Sequence, residues 1–325
     1  MFKWLPYELH THTNHSDGKQ TIEELSCEAK KLNLYGFAMT DHNTISTFNM
    51  LDNMSEKYQI DIIPGMEWTT FYGHILLLGL NKYVEWRDVN LDNINEKIEN
   101  IRNDVKLIGI AHPFSIGGPI STGSHFEYKI SDYNNIDYIE VWSGLLPGKN
   151  YINKKAFDWW TSLLNKGYKI SAVSGRDWHH TNGTEKYISC TYLGHKDNEK
   201  FDGINSIKKG KISVGCEYFL DIICNIDKNS YYIGDSINKD QINDMDITIM
   251  INESKVKTNY KYDDDKYIIK LVTNNGEVYS NIINNKDKVE VRLENIEFKW
   301  IRGELYRNID NEEIIISFTN PIYFK

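Results

Sequence analysis

Cysteine is sparse in this chain of 325 residues: there are four, Cys27, Cys190, Cys216 and Cys224, and none sits in a CxxC pair. That excludes a zinc–thiolate knuckle and a dense disulfide framework, and it fits buried free thiols in a reducing cytoplasm. No run of about 18 apolar residues occurs, so no membrane-spanning helix is expected. The opening MFKWLPYELHTHT lacks a basic start followed by an apolar stretch. No signal peptide is therefore expected, and the expected location is cytoplasmic. Positive charge is also short: 37 Lys and Arg face 46 Asp and Glu, a formal net charge of -9. An acidic surface disfavours a nucleic-acid polymer or an anionic membrane as partner, although bound metal can reverse the field at one site.

What is present is enough for a sizeable core, since 40% of residues are hydrophobic and 13% aromatic. The length suits two domains. Short apolar runs at 7–12, 36–40, 61–67, 74–80, 107–112, 138–142, 169–174, 187–193 and 212–214 read as strands. Between them, 21–32, 44–58, 91–104, 151–166 and 204–209 read as helices, the first with acidic residues in its first turn and lysines in its last. Strand–helix alternation predicts parallel strands with right-handed crossovers, and seven or eight such units predict a closed or nearly closed α/β barrel over residues 1–215. Beyond it, 246–251, 267–272, 289–293 and 314–318 alternate with period 2, and Asn274-Asn275-Gly276 signals a hairpin. Residues 216–325 are expected to form a small antiparallel β-sandwich-like domain. An acidic cluster at 263–265 reads as solvated loop.

A barrel gathers function where its strands end. His10 and His12 lie two apart at the end of the first strand, so period 2 turns both to one face. Alone the pair is weak, arising by chance in roughly a quarter of shuffles. The company it keeps is stronger. Asp17 follows in HSDG, His42 in TDHN, Glu67 in PGMEW, His74 in GHILLLGL, His112 in AHP, and Asp177 and His179 in SGRDWH. Imidazole and carboxylate together suit zinc, manganese or iron. Nine donors are too many for one ion, whereas a carboxylate bridging two ions about 3.5–4 Å apart suits hydrolysis.

HTHTNHSDG, TDHN, PGMEW, GHILLLGL, AHP, IEVWSG and SGRDWH, in this order, resemble the polymerase and histidinol phosphatase (PHP) superfamily over about residues 7–180. GHILLLGL close behind the strand-end Glu and the ending TNPIYF are similar to its carbaryl-esterase-like branch. The resemblance implies a distorted seven-stranded barrel with two or three divalent ions. It implies one ion on His10, His12, Glu67 and Asp177, a second on Glu67, His74 and His112, and a third on Asp17, His42 and His179, with Glu67 as the bridge. His15 stands near Asp17 as another donor for the third ion. Glu140 in IEVWSG is expected to point away from the site.

Around these, Arg176 reads either as a clamp on a substrate phosphate or as a salt bridge to a barrel carboxylate. His15 and His180 adjoin ligands and read as general acid or substrate contacts. Asp41 orients a neighbour or caps a helix. His125 lies in the Gly/Ser-rich loop GGPISTGSH, and it and His195 read as surface residues. Trp142, Trp159 and Trp160 read as packing. The leading expectation is a phosphoesterase acting on a small, phosphorylated substrate through metal-activated hydroxide, with Glu67, Arg176, His15 and His180 as catalytic candidates. A metal-dependent ester, amide or carbamate hydrolase is the alternative, and a non-catalytic binding protein the third.

Overall fold

The computed structural model describes residues 2–118, 123–180, 188–239, 242, 244–257, 266–284, 288–294, 296–309 and 311–325. The acidic cluster at 263–265, part of the GGPISTGSH loop and the first residue of the strand expected at 187–193 lie outside them.

Strand β1 (Phe2–Thr11) leads to α1 (Ile22–Lys31), β2 (Gly36–Met39), α2 (Phe48–Tyr58), β3 (Asp61–Thr70), β4 (Gly73–Leu78), α3 (Ile94–Ile101), β5 (Leu107–Ile110), β6 (Tyr138–Ser143), α4 (Tyr151–Asn165), β7 (Ser171–Gly175), β8 (Cys190–Lys196), α5 (Gly203–Lys208) and β9 (Ile212–Gly215). Local chemistry sets the helix ends. Thr21 caps α1 in a reciprocal box with Glu24, and the helix buries Ile22, Leu25, Ser26 and Ala29. Asn150 caps α4, which buries Ala156, Trp160, Leu163 and Leu164.

β9, β8, β1, β2, β3, β4, β5, β6 and β7 pair in that spatial order. The parallel strands expected from the sequence fail at β4. It is antiparallel to β3 and to β5, with only Phe71 and Tyr72 between β3 and β4. Gly73 closes that turn at φ +155°, where an added Cβ would sit 2.7 Å from the Phe126 ring. β8 is antiparallel to β1. The sheet curls until the far strand meets the first: Thr11 and Trp178 form a parallel bridge, and the Ser174 amide donates to Thr191 Oγ1. Most strands here are buried on both faces and read as apolar runs.

After residue 215 every named element is a strand: β10 (Tyr218–Ile226), β11 (Asn229–Tyr232), β12 (Ser236–Ile237), β13 (Asp244–Glu253), β14 (Lys266–Thr273), β15 (Gly276–Asn284), β16 (Lys288–Glu294), β17 (Trp300–Ile309), β18 (Glu312–Thr319) and β19 (Ile322–Phe324). The Asn274–Asn275 turn joins β14 to β15. β11, β10, β13 and β16 form a separate sheet facing β14, β17 and β18 across one apolar core. The second leaf is continuous with the first sheet, because β18 pairs with β9. Phe318 of β18 packs against the Trp142, Phe157 and Trp160 rings. The Arg302 guanidinium lies 4.4 Å from the Phe157 ring centre and is paired with Glu304. Trp142 and Trp160 thus pack in the core, while Trp159 lies half-buried against Phe114, Phe126 and Tyr133.

Among the described residues, no helix is long and apolar enough to cross a membrane.

Candidate metal centre

Main-chain bonds bring the strand ends together. The His12 amide donates to Trp178 O and the Trp178 amide to His10 O, which sets Asp177 opposite the two histidines. His42 bridges to Glu67, and the Ala111 amide donates to His74 O, placing His112 beside His74. Two of the converging residues have left-handed backbone, His112 at φ +23° and Asp177 at φ +53°. Such strain costs of order 1–3 kcal/mol each and persists where surrounding structure imposes it.

All nine residues singled out from the sequence meet in one place. Three sets each offer donor atoms within 4.8 Å of one another: His10, His12, Glu67 and Asp177; Glu67, His74 and His112; and His12, Asp17, His42 and His179. Glu67 is central and fully buried. Its Oε2 lies 3.1 Å from His10 Nε2, 3.4 Å from His12 Nε2 and 2.8 Å from His42 Nδ1. Its Oε1 lies 3.0 Å from His74 Nδ1 and 3.3 Å from His112 Nε2. Asp177 Oδ1 stands 2.9 Å from His12 Nε2. Asp17 Oδ1 faces His179 Nε2 at 3.1 Å and His42 Nε2 at 3.4 Å. The rings of His42 and His179 each stack against His12 at 4.2 Å and lie 6.0 Å from one another.

Yet both Glu67 oxygens, Asp177 Oδ1, and the Nε2 atoms of His10 and His12 are buried without a properly directed hydrogen bond. Buried acceptors that converge and remain unsatisfied are costly in an empty protein. A divalent cation satisfies them at once, so this donor set fits the ions expected from the sequence.

The titration pattern agrees. Burial pushes the Glu67 carboxyl up, but the charges of His10, His42 and His74 outweigh it and hold it well below its usual range. Burial pulls His10 down, and Glu67, Glu140 and Asp177 together raise it well above the usual imidazole value. Against the same burial, Glu67 and Asp17 raise His42 to about 10. His12 moves the other way, to about 4, because burial and its imidazole neighbours His42 and His10 prevail over Asp177. The centre attracts positive charge.

A family model of the PHP domain matches residues 8–110. The match covers about a third of the chain. A search of curated proteins finds no match. Among solved structures, a two-domain protein from Bacteroides vulgatus containing a predicted PHP-like metal-dependent phosphoesterase aligns over 99% of this chain and 96% of its own, at 14% identity and a TM-score of 0.54. That likeness extends the shared fold through the C-terminal strands. A putative metal-dependent phosphoesterase from Bifidobacterium adolescentis aligns over 56% of this chain and 90% of its own, at 14% identity and a TM-score of 0.37. An amidohydrolase from Chromobacterium violaceum aligns over 54% and 88%, at 15% identity and a TM-score of 0.34.

The centre has supports that the sequence reading missed or misplaced. Glu140 points inward, contrary to expectation: its Oε2 lies 2.8 Å from His10 Nδ1, with both groups buried. Room for it exists because residue 175 is glycine, where a Cβ would fall 2.7 Å from Glu140 Oε2 and from His10 Cβ. The His42 Nδ1 meets the Thr69 hydroxyl, and His179 Nδ1 lies 2.7 Å from Asp177 O.

Arg176 is turned away from the ligands. Its Nε donates to Glu8 Oε2 at 2.7 Å, and its guanidinium lies 3.7 Å from the Trp178 ring centre. Of the two readings offered above, the geometry is that of the salt bridge. Glu8 shares the inward face of β1 with His10 and His12, and burial raises its carboxyl although Arg176 opposes the shift. Asp41 does not cap α2, whose N-cap residue is Thr47. Its carboxylate accepts from the Thr13 amide and hydroxyl and from Ser16, holding the turn that carries Asp17. His15 is exposed with Nδ1 2.7 Å from Ser46 Oγ, and His180 is exposed beside His179. His125 is exposed and bridges to Phe114, while His195 is half-buried against the Phe201 ring.

Proposed function

We propose that the chain is a metal-dependent phosphoesterase cleaving a small phosphate mono- or diester at a site of two or three ions. One observation carries it: the two oxygens of buried Glu67 face two different histidine sets. A single carboxylate so placed would hold two ions at once, as in hydrolytic two-metal sites. His10, His12 and Asp177 would complete the first ion, His74 and His112 the second, and Asp17, His42 and His179 the third. Zinc, manganese and iron suit these donors. Such ions supply Lewis acidity toward phosphoryl oxygens and hydroxide at neutral pH.

The chain's own groups position and exclude. Glu140, Thr69 and the Asp177 carbonyl fix the imidazoles of His10, His42 and His179. Arg176 holds Glu8 beneath the site, so a phosphate clamp is not assigned to it. His15 and His180, exposed next to Asp17 and His179, would give a proton to the leaving alcohol. In this reading β1–β7 are the seven staves of a distorted barrel, residues 1–215 are the hydrolase, and residues 216–325 brace it.

The test is turnover by protein purified with manganese or zinc, on p-nitrophenyl phosphate, bis-p-nitrophenyl phosphate and p-nitrophenyl acetate. Phosphoester cleavage that disappears in His12→Ala is the expected result. Turnover of the acetate alone replaces this reading with a carboxyl-type hydrolase, and inactivity on all three with either metal overturns catalysis of this kind.

A further inference from the structure

We propose that a second site, at the end of the PHP barrel opposite the metal ligands, binds a small oxyanion of the phosphate class. Most of the proposed metal ligands lie in or just past the C-terminal parts of strands, and His74, at the start of antiparallel β4, reaches the same end. Lys169, just before β7, and Lys208, Lys209 and Lys211, around the turn from α5 into β9, lie at the N-terminal ends. These four lysines line one cavity of 160 Å³. The chain as a whole carries more acid than base, 46 against 37, so this density of ammonium groups is local.

Three features make the cavity a built site. First, among the described residues neither these four lysines nor Lys325 makes an ion pair. The one carboxylate in the lining, Asp235, is occupied with the Tyr232 amide at 2.9 Å. Second, Lys169 is held in place: its Nζ donates to the Ser236 hydroxyl and lies 5.0 Å from the Tyr323 ring centre. Burial, together with the adjacent charged Lys325, pulls the Lys169 amine down to about 8. Two neighbouring ammonium groups repel, and a multivalent anion between them removes that cost. Third, the walls depend on a close approach of two turns. A Cβ on Gly234 would fall 2.1 Å from Lys209 O, so glycine there lets the two turns close on each other.

The ligand class follows from size and donor type. The 160 Å³ of the cavity suits phosphate or a similarly compact ion. Lysines act as rotatable point charges and set no bidentate geometry, which suits a compact tetrahedral oxyanion. The site stands apart from the nine ligands, so this inference does not depend on the proposed activity.

Calorimetric titration of the metal-stripped full chain with inorganic phosphate, in chloride buffer, tests it. One saturable site is expected. It should weaken at least tenfold in Lys169→Gln/Lys211→Gln and stay unchanged in His12→Ala. Phosphate should also raise the Lys169 titration midpoint, read by NMR after reductive methylation with ¹³C-formaldehyde, and this readout needs no variant to fold. Absence of saturable binding, binding indifferent to both lysines, or binding abolished by His12→Ala would each overturn the assignment.

Discussion

Replacing Glu140 by glutamine tests how far this centre depends on a residue that touches none of the proposed ions. The His10 ring is fully buried, and its Nδ1 meets Glu140 Oε2 at 2.8 Å while its Nε2 faces Glu67 and Asp177. A carboxylate at Nδ1 fixes the tautomer that leaves the Nε2 lone pair facing the ion, and it makes that nitrogen a better donor. Glutamine keeps the shape and can still accept one hydrogen bond, but it loses the charge. Losing such a partner lowers metal affinity by about 10–100-fold, or about 1.4–2.7 kcal/mol. Glu140→Gln is expected near the lower end and Glu140→Ala near the upper. Gly175→Ala should mimic the loss with Glu140 still present, because the new Cβ would push at Glu140 Oε2 and His10 Cβ from 2.7 Å. The assay is competition for zinc against a chromophoric chelator, with elemental analysis for stoichiometry and a denaturant midpoint on metal-free protein. Affinity within twofold of wild type in Glu140→Gln would refute the reasoning. So would a lowered metal-free midpoint that accounts for the whole loss.

Three further outcomes are expected. Glu67→Gln should drop bound metal by at least one ion per chain by elemental analysis, since both oxygens are shared between histidine sets. Asp221 is buried, and burial raises its carboxyl to about 6 despite a 3.1 Å hydrogen bond from Trp4 Nε1. The folded chain therefore binds a proton there that the unfolded chain releases at a pH near 4, so ionisation penalises the fold increasingly between about pH 4 and 6 and fully above it. At about 1.36 kcal/mol per pKa unit, Asp221→Asn should stabilise by about 2–3 kcal/mol at pH 7.5 and by little at pH 4, read from denaturant midpoints. Removing residues 216–325 should yield aggregating protein by light scattering, because it strips β18 from β9 and Phe318 from the Trp142 pocket. A soluble monomeric truncation would contradict that.

Most of the strands before residue 216, their helices and the convergence of nine donors were legible because each rests on local chemistry. Apolar runs mark strands, and imidazoles or acids just past them mark the functional end. What escaped depends on pairing. The β3–β4 hairpin hides in Thr69–Gly73, where the turn pair is Phe71-Tyr72 and only Gly73 hints at a reversal. The joining of β18 to β9 links positions about a hundred residues apart, and nothing local specifies it.

Glu8 and Glu140 are a different case, because their signal was present in the sequence. Each is a carboxylate inside an apolar strand, and a charge there is tolerated only with a partner. Period 2 from His10 and His12 already places Glu8 on the inward face of β1, and burial demanded a cation or an imidazole for both acids. The candidates were nearby: Arg176 sits beside Asp177 just past the late strand, and His10 heads the metal set. The structure pairs them so, Glu8 with Arg176 and Glu140 with His10. The interior beneath the proposed ions is thus a charged layer, held open where residue 175 is glycine. Glu8 holds Arg176 in that layer, and Glu140 holds the His10 ring in one orientation.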